Sequence, residues 1–134
     1  MRPEPASGAG GTAPTSDFFL TRLQAYRAQA MQALARQIPG QGPPYLYDLA
    51  GVYPARSGKG LRPALCLAAC GALGGDPRRA LEMAAAIELF HNGFLIHDDI
   101  QDYSECRRGA PTLHCEFGVP IAINVGNATN LLAL

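Results

Sequence analysis

Residues 78–102 read RRALEMAAAIELFHNGFLIHDDIQD, a run of Ala, Leu, Ile and Phe that ends in three aspartates. The apolar positions recur at helical spacing, with the polar residues on one stripe, and this predicts a single long helix from about Arg78 to Asp102. Gly74-Gly75-Asp76-Pro77 before it reads as a turn that also caps the helix. A helix this long and this apolar cannot lie free on a surface. It needs other helices around it, which already points to an all-α fold.

The end of that helix carries the chemistry. Asp98 and Asp102 are four residues apart and share a face, and Asp99 lies about 100° round from Asp98. Three carboxylates on one turn repel each other, and a helix C-terminus disfavours negative charge. Local propensity does not account for them, so a cation should offset the cost. Mg²⁺ prefers hard oxygen ligands, keeps waters, and takes one or two carboxylates together with substrate phosphates. The expected ligand set is Asp98, Asp102 and a diphosphate. A bare DDxxD is also what a solvated acidic helix end looks like. The apolar sequence before it favours a metal-lined pocket.

Two basic clusters flank the aspartates. Upstream is Ser57-Gly58-Lys59-Gly60-Leu61-Arg62-Pro63. Glycines on both sides of Lys59, the only lysine among 11 cationic residues, let the backbone approach an anion. Arg62 opens the next helix, whose N-terminus favours phosphate. A lysine point charge and an arginine fork make a credible diphosphate clamp. Downstream is Arg107-Arg108-Gly109-Ala110-Pro111-Thr112-Leu113-His114, close enough in sequence to return to the same pocket.

The rest of the chain fits a helical domain. Residues 1–15 are Pro, Gly, Ala, Ser and Thr with two charges, and are expected to be a disordered tail; residues 16–134 form the helical domain. Phe18 to Ile38 reads as a helix, and Tyr45 to Val52 as a short helical piece. Tyr53 to Gly60 reads as a loop. Leu61 to Leu73 reads as a buried helix with Pro63 in its first turn. Tyr103 to Ala110 reads as a polar loop. Thr112 to Gly118 and Val119 to Leu134 read as two further helices, the last stopping without a cap, as a piece of a larger bundle would.

Net charge is zero, with 11 basic and 11 acidic residues, so a nucleic-acid partner is not expected. Cys66, Cys70, Cys106 and Cys115 show neither CxxC nor zinc spacing and read as reduced thiols, most of them in the core. The first residues do not read as a signal peptide, and no apolar run reaches membrane-spanning length. A cytoplasmic protein is the default expectation.

The stretch from Tyr53 to Gly126 resembles the isoprenyl diphosphate synthases. GKGLRP looks like their first isopentenyl diphosphate motif, ELFHNGFLIHDDIQD like the helix with their first aspartate-rich motif, and RRGAPTLH and AINVG like the segments after it. The resemblance implies the N-terminal part of the isoprenoid synthase helical bundle. It implies a Mg²⁺-dependent transferase joining isopentenyl diphosphate to an allylic diphosphate. Asp98 and Asp102, with Asp99 in support, then hold Mg²⁺ and the allylic diphosphate, which Arg107 also binds. Lys59, Arg62, His91 and Arg108 clamp isopentenyl diphosphate; His97 and His114 are structural. Phe94 is the expected floor of the product cavity, with Gly93 leaving space beside it, for a product of farnesyl to geranylgeranyl length.

Two departures qualify the resemblance. The family's second aspartate-rich motif does not occur in these residues, and Asn127 stands where the family usually has Asp. The expectation is a shortened copy or fragment without activity alone. It would act as a homodimer or paired with a full-length synthase, the alternative being a non-catalytic paralogue in such a pair. A type I terpene cyclase also uses a DDxxD helix but needs no isopentenyl site, and Lys59, Arg62 and Arg108 argue against it.

Overall fold

The computed structural model describes residues 16–43, 45–56 and 58–134. The expected disordered tail lies outside them. In chain order the helices are α1 (Ser16–Gln37), α2 (Tyr47–Ala50), α3 (Val52–Ala55), α4 (Leu61–Ala72), α5 (Leu81–Gln101), α6 (Leu113–Phe117) and α7 (Val119–Leu132). A 3-10 turn, Pro77–Ala80, leads into α5. The fold is all-α, as the sequence implies.

Helix α5 is central and packs against α1, α4 and α7. Its buried positions, Ala84, Ala85, Glu88, Leu89, Asn92, Gly93, Ile96 and Asp99, recur at three- and four-residue intervals along one stripe. Ala84 and Ala85 let neighbouring helices approach closely. Around them lie Tyr26, Ala30, Ala64 and Leu67 on one side, and Ala33, Leu34 and Leu89 on another. Leu34, Leu67 and Leu89 are essentially solvent-free, each worth about 1.5–3 kcal/mol of apolar burial. A third cluster joins Leu49, Tyr53, Ile96, Leu113, Ala122 and Val125, and so ties α2, α3 and α6 to α5 and α7.

Several local expectations change. The segment read as a loop from Tyr53 to Gly60 begins inside α3, because Tyr53 and Pro54 are buried and draw the chain into a helical turn. The long helix starts at Leu81 rather than Arg78. Asp76 accepts a hydrogen bond from the Arg78 N–H, and Pro77 tightens the entry into the 3-10 turn. The polar loop after α5 contains a two-stranded antiparallel hairpin, β1 (Cys106–Arg107) with β2 (Ala110–Pro111). None of the four cysteines is in the core: Cys66 and Cys70 are half-buried, Cys106 and Cys115 exposed, and all four are free thiols.

Gly93 does not leave space for a product. It is buried where α5 meets α7, and a Cβ there would lie 2.8 Å from Asn130 Cγ and 3.1 Å from the Gly126 carbonyl oxygen. Gly126 returns the contact, since a Cβ on it would come within 2.7 Å of His97 Nε2. His97 therefore packs on the α7 backbone. Gly93→Ala should overpack this crossing, at a cost of about 1–3 kcal/mol. The helix-propensity gain, roughly 1 kcal/mol, offsets only part of that. The thermal unfolding midpoint should fall, and a midpoint at or above wild type would show that α7 can move away freely.

Candidate functional site

The last turn of α5 divides its three aspartates. Asp99 continues the buried stripe and is 1% exposed, whereas Asp98 and Asp102 are exposed. Burying a carboxylate without partners is prohibitive, so Asp99 needs compensation. Arg107 Nε donates to both Asp99 oxygens at 2.8 Å, and Arg107 Nη2 donates to Oδ1 at 2.6 Å. The Tyr53 hydroxyl donates to Oδ2 at 2.5 Å. Burial, and next the bond to Asp99, push the Tyr53 phenol well above its ordinary value and keep it a donor. The hydrogen bond to Asp99 likewise holds the Arg107 guanidinium charged. Asp99 is thus an internal anchor rather than a companion of Asp98 and Asp102, which corrects the expectation of a supporting metal ligand.

The hairpin places the two arginines. With Arg107 opposite Ala110, only Arg108 and Gly109 make the turn, at φ 53° and 78°. Both central residues are left-handed, the pattern of a type I′ turn. Glycine accepts that conformation freely, but an arginine there costs about 1–2 kcal/mol. The Arg108 side chain is held in return: Nη1 donates to the Tyr53 carbonyl at 2.9 Å and to the Arg56 carbonyl at 3.2 Å. It also lies flat against Gly58, where a Cβ would be 2.8 Å from Cζ. Glycine in the upstream basic loop thus admits the arginine of the downstream cluster, and the two clusters meet.

Arg62 Nη1 and His91 Nε2 are 3.0 Å apart. Burial first, then Arg62, and to a smaller degree Arg108 and Arg107, push His91 below the ordinary histidine value, against an opposing pull from Glu88. Lys59 is exposed and has no hydrogen-bond partner among the described residues. The structure therefore brings Arg62, Arg107 and Arg108 within electrostatic reach of His91 on the C-terminal half of α5. Gly60 adopts φ 55° to start α4.

Asp98 and Asp102 are in no ion pair among the described residues. Among the described residues no group of three or more His, Cys, Asp or Glu side chains converges as a ready metal cage. Phe94 is 57% exposed and stacks on Phe90 at 6.3 Å between ring centroids. Asn127 is exposed on α7. Sequence reasoning missed Tyr53 and Arg56 as parts of the site. Asp99 was recoverable: counting back in steps of three or four from it gives Ile96, Asn92, Leu89 and Ala85, all buried.

The chain is all-α, with exposed aspartates at the end of α5 and a cluster of basic side chains along it. The polyprenyl synthetase family model matches residues 43–134, and the chain belongs to that family. It is 48% identical over 87 residues, 65% of its length, to a geranylgeranyl pyrophosphate synthase of Geoglobus acetivorans, of which it covers 27%. It is 34% identical over 117 residues to the large subunit 1 of a heterodimeric geranylgeranyl pyrophosphate synthase of Arabidopsis thaliana, covering 86% of this chain and 32% of that protein. A solved geranylgeranyl pyrophosphate synthetase of Pyrococcus horikoshii superposes with a TM-score of 0.82 at 40% identity, over 87% of this chain and 36% of that one. The chain thus spans roughly a third of the length of these relatives. No described helix is long and apolar enough to cross a membrane.

Two outcomes follow from the geometry. Asp99→Ala should destabilise the protein by about 2–4 kcal/mol, near the figure for breaking a buried ion pair but reduced because Arg107 can reach water. Asp98→Ala should be close to neutral in the same denaturant titration. For His91, the folded protein binds fewer protons than the unfolded chain, because the folded value lies below the unfolded one. Its contribution to stability is complete above about pH 6.5, the unfolded value, and is lost as pH falls from there through the folded value. His91→Gln should flatten the fall in unfolding midpoint across that acid window, as read by calorimetry at stepped pH.

Proposed function

We propose that this chain supplies the diphosphate-binding part of a prenyltransferase site that condenses isopentenyl diphosphate with an allylic diphosphate. The observation that carries this reading is two exposed carboxylates, Asp98 and Asp102, on the helix turn whose buried Asp99 holds Arg107, the neighbour in sequence of Arg108. Two hard oxygen donors at i and i+4 suit Mg²⁺, which completes its shell with water and phosphate oxygens rather than a protein cage. Bound there, Mg²⁺ would offset the negative charge that builds on the departing diphosphate.

In this reading Arg107 uses Nε and Nη2 on Asp99, and Nη1, which has no partner among the described residues, is left for the allylic diphosphate. Lys59, Arg62, His91 and Arg108 receive isopentenyl diphosphate. The allylic carbon–oxygen bond breaks and the diphosphate leaves. The double bond of isopentenyl diphosphate forms the new carbon–carbon bond, and a proton is lost to restore an alkene. Fixed cations at the leaving group favour the charge as it develops. Phe90 and Phe94 offer an apolar wall that shields the allylic cation from water. The same wall would limit the product to the farnesyl–geranylgeranyl range, with Phe94 alone, and not Gly93, as its sequence-identified element.

A second reading is a subunit that pairs with a full-length synthase. It draws on the exposed apolar residues of α5 and α7, among them Met83, Phe94, Ile123 and Leu131, and on the heterodimeric assembly named for one relative.

Because the chain spans about a third of its relatives, binding is the direct test. Titration with inorganic pyrophosphate should show Mg²⁺-dependent binding that Asp98→Ala or Asp102→Ala weakens by about tenfold or more, the order of a lost charge-assisted contact. Equal affinity with and without Mg²⁺, or in the double variant, would remove the metal assignment.

A further inference from the structure

Tyr53 touches the network that holds the two adjacent arginines through both its hydroxyl and its carbonyl. Its side chain is 1% exposed, inside the cluster formed by Leu49, Ile96, Leu113, Ala122 and Val125. A phenylalanine would fill that space, so packing alone does not explain the hydroxyl. That hydroxyl donates to Asp99 Oδ2 at 2.5 Å and accepts from the Leu113 N–H at 3.4 Å. Asp99 in turn grips Arg107 through both oxygens. The Tyr53 main-chain carbonyl accepts from Arg108 Nη1 at 2.9 Å. Arg56, whose guanidinium lies 5.0 Å above the Tyr53 ring, adds its own carbonyl to Arg108 and reaches the Arg107 carbonyl at 3.5 Å.

We propose that Tyr53 is a positioning residue: its hydroxyl, through Asp99, aims Arg107, while its carbonyl aims Arg108. The proposal rests on reading both arginines as diphosphate ligands. The physical reason is the number of ways an isolated carboxylate can hold a guanidinium. Asp99 could accept Arg107 end-on, side-on or through one oxygen. A second donor on Oδ2 fixes the carboxylate plane, and with it the direction of the fork, which matters because Arg recognises anions by geometry as well as charge. Arg108 sits in a strained left-handed turn and would otherwise swing with it. One helical turn, α3, thereby sets the angle between neighbouring cations that serve two different diphosphates.

The two halves of this arrangement separate by substitution. Tyr53→Phe removes the hydroxyl but keeps the ring and the carbonyl. In arginine-labelled protein, the Arg107 Nε–H resonance should move and exchange with water at least about tenfold faster, as for loss of one hydrogen bond in a charged network. The Arg108 resonance should stay in place. Mg²⁺–pyrophosphate affinity should fall by about tenfold on the same grounds. General loosening of the core would move both arginine resonances together and would overturn the proposal, as would an Arg107 resonance and a pyrophosphate affinity both equal to wild type. If wild-type protein binds no pyrophosphate, the diphosphate reading fails, and the Arg107 resonance alone still decides whether Tyr53 aims that side chain. Should Tyr53→Phe not fold, the wild-type hydroxyl proton gives the answer. A slowly exchanging, far-downfield signal supports the bond to Asp99, and rapid exchange with water rules it out.

Discussion

A carboxylate sealed inside a helical core raises the free energy of the fold unless its charge and lone pairs are met. Asp99 is in that position, 1% exposed, and its partners come from segments far apart in the chain: Tyr53 from α3 and Arg107 from β1. Satisfying one buried group therefore draws α3 and the hairpin to the end of α5. The hairpin must fold back toward α3, and α3 must turn as a helix to bury Tyr53. Once both have done so, Arg108 meets Gly58 and the two basic clusters adjoin.

The same turn shows how helix geometry assigns different tasks to identical side chains. Asp98, Asp99 and Asp102 are all aspartates within five residues. A 100° step separates Asp98 from Asp99, enough to take one carboxylate to solvent and the other to the core. The exposed pair is in no ion pair among the described residues, and the buried one spends its oxygens on the fold. Small residues do the complementary work between α5 and α7. Gly93 and Gly126 let the helices approach until His97 and Asn130 pack on the opposing backbone, which fixes the rotation of α5 and so the direction in which Asp98 and Asp102 face.

Helical periodicity, turn residues and the three charged clusters were legible along the chain because they are local. The stretch from Arg78 to Asp102 reads as one long helix, which the structure trims to α5, and DDIQD, GKGLRP and RRGAP stand out by residue type and spacing. The family followed from their order. The buried stripe through Ala85, Leu89, Asn92, Ile96 and Asp99 was also present in the sequence, and it places Asp99 apart from its neighbours.

What the linear order could not supply is which partner answers which group. Tyr53 lies 46 residues from Asp99 and 60 from Leu113, and no local pattern joins them. A segment with Pro54, Gly58 and Gly60 reads as a loop until burial of Tyr53 gives it a helical turn. Glycine at 93 looks like open space until Asn130 fills it. Sequence determined the all-α class, the helix that carries the aspartates and the residue types of the candidate site. Tertiary structure decided which aspartate faces inward and where each arginine is aimed, because desolvating a charge is settled by the groups that surround it in space.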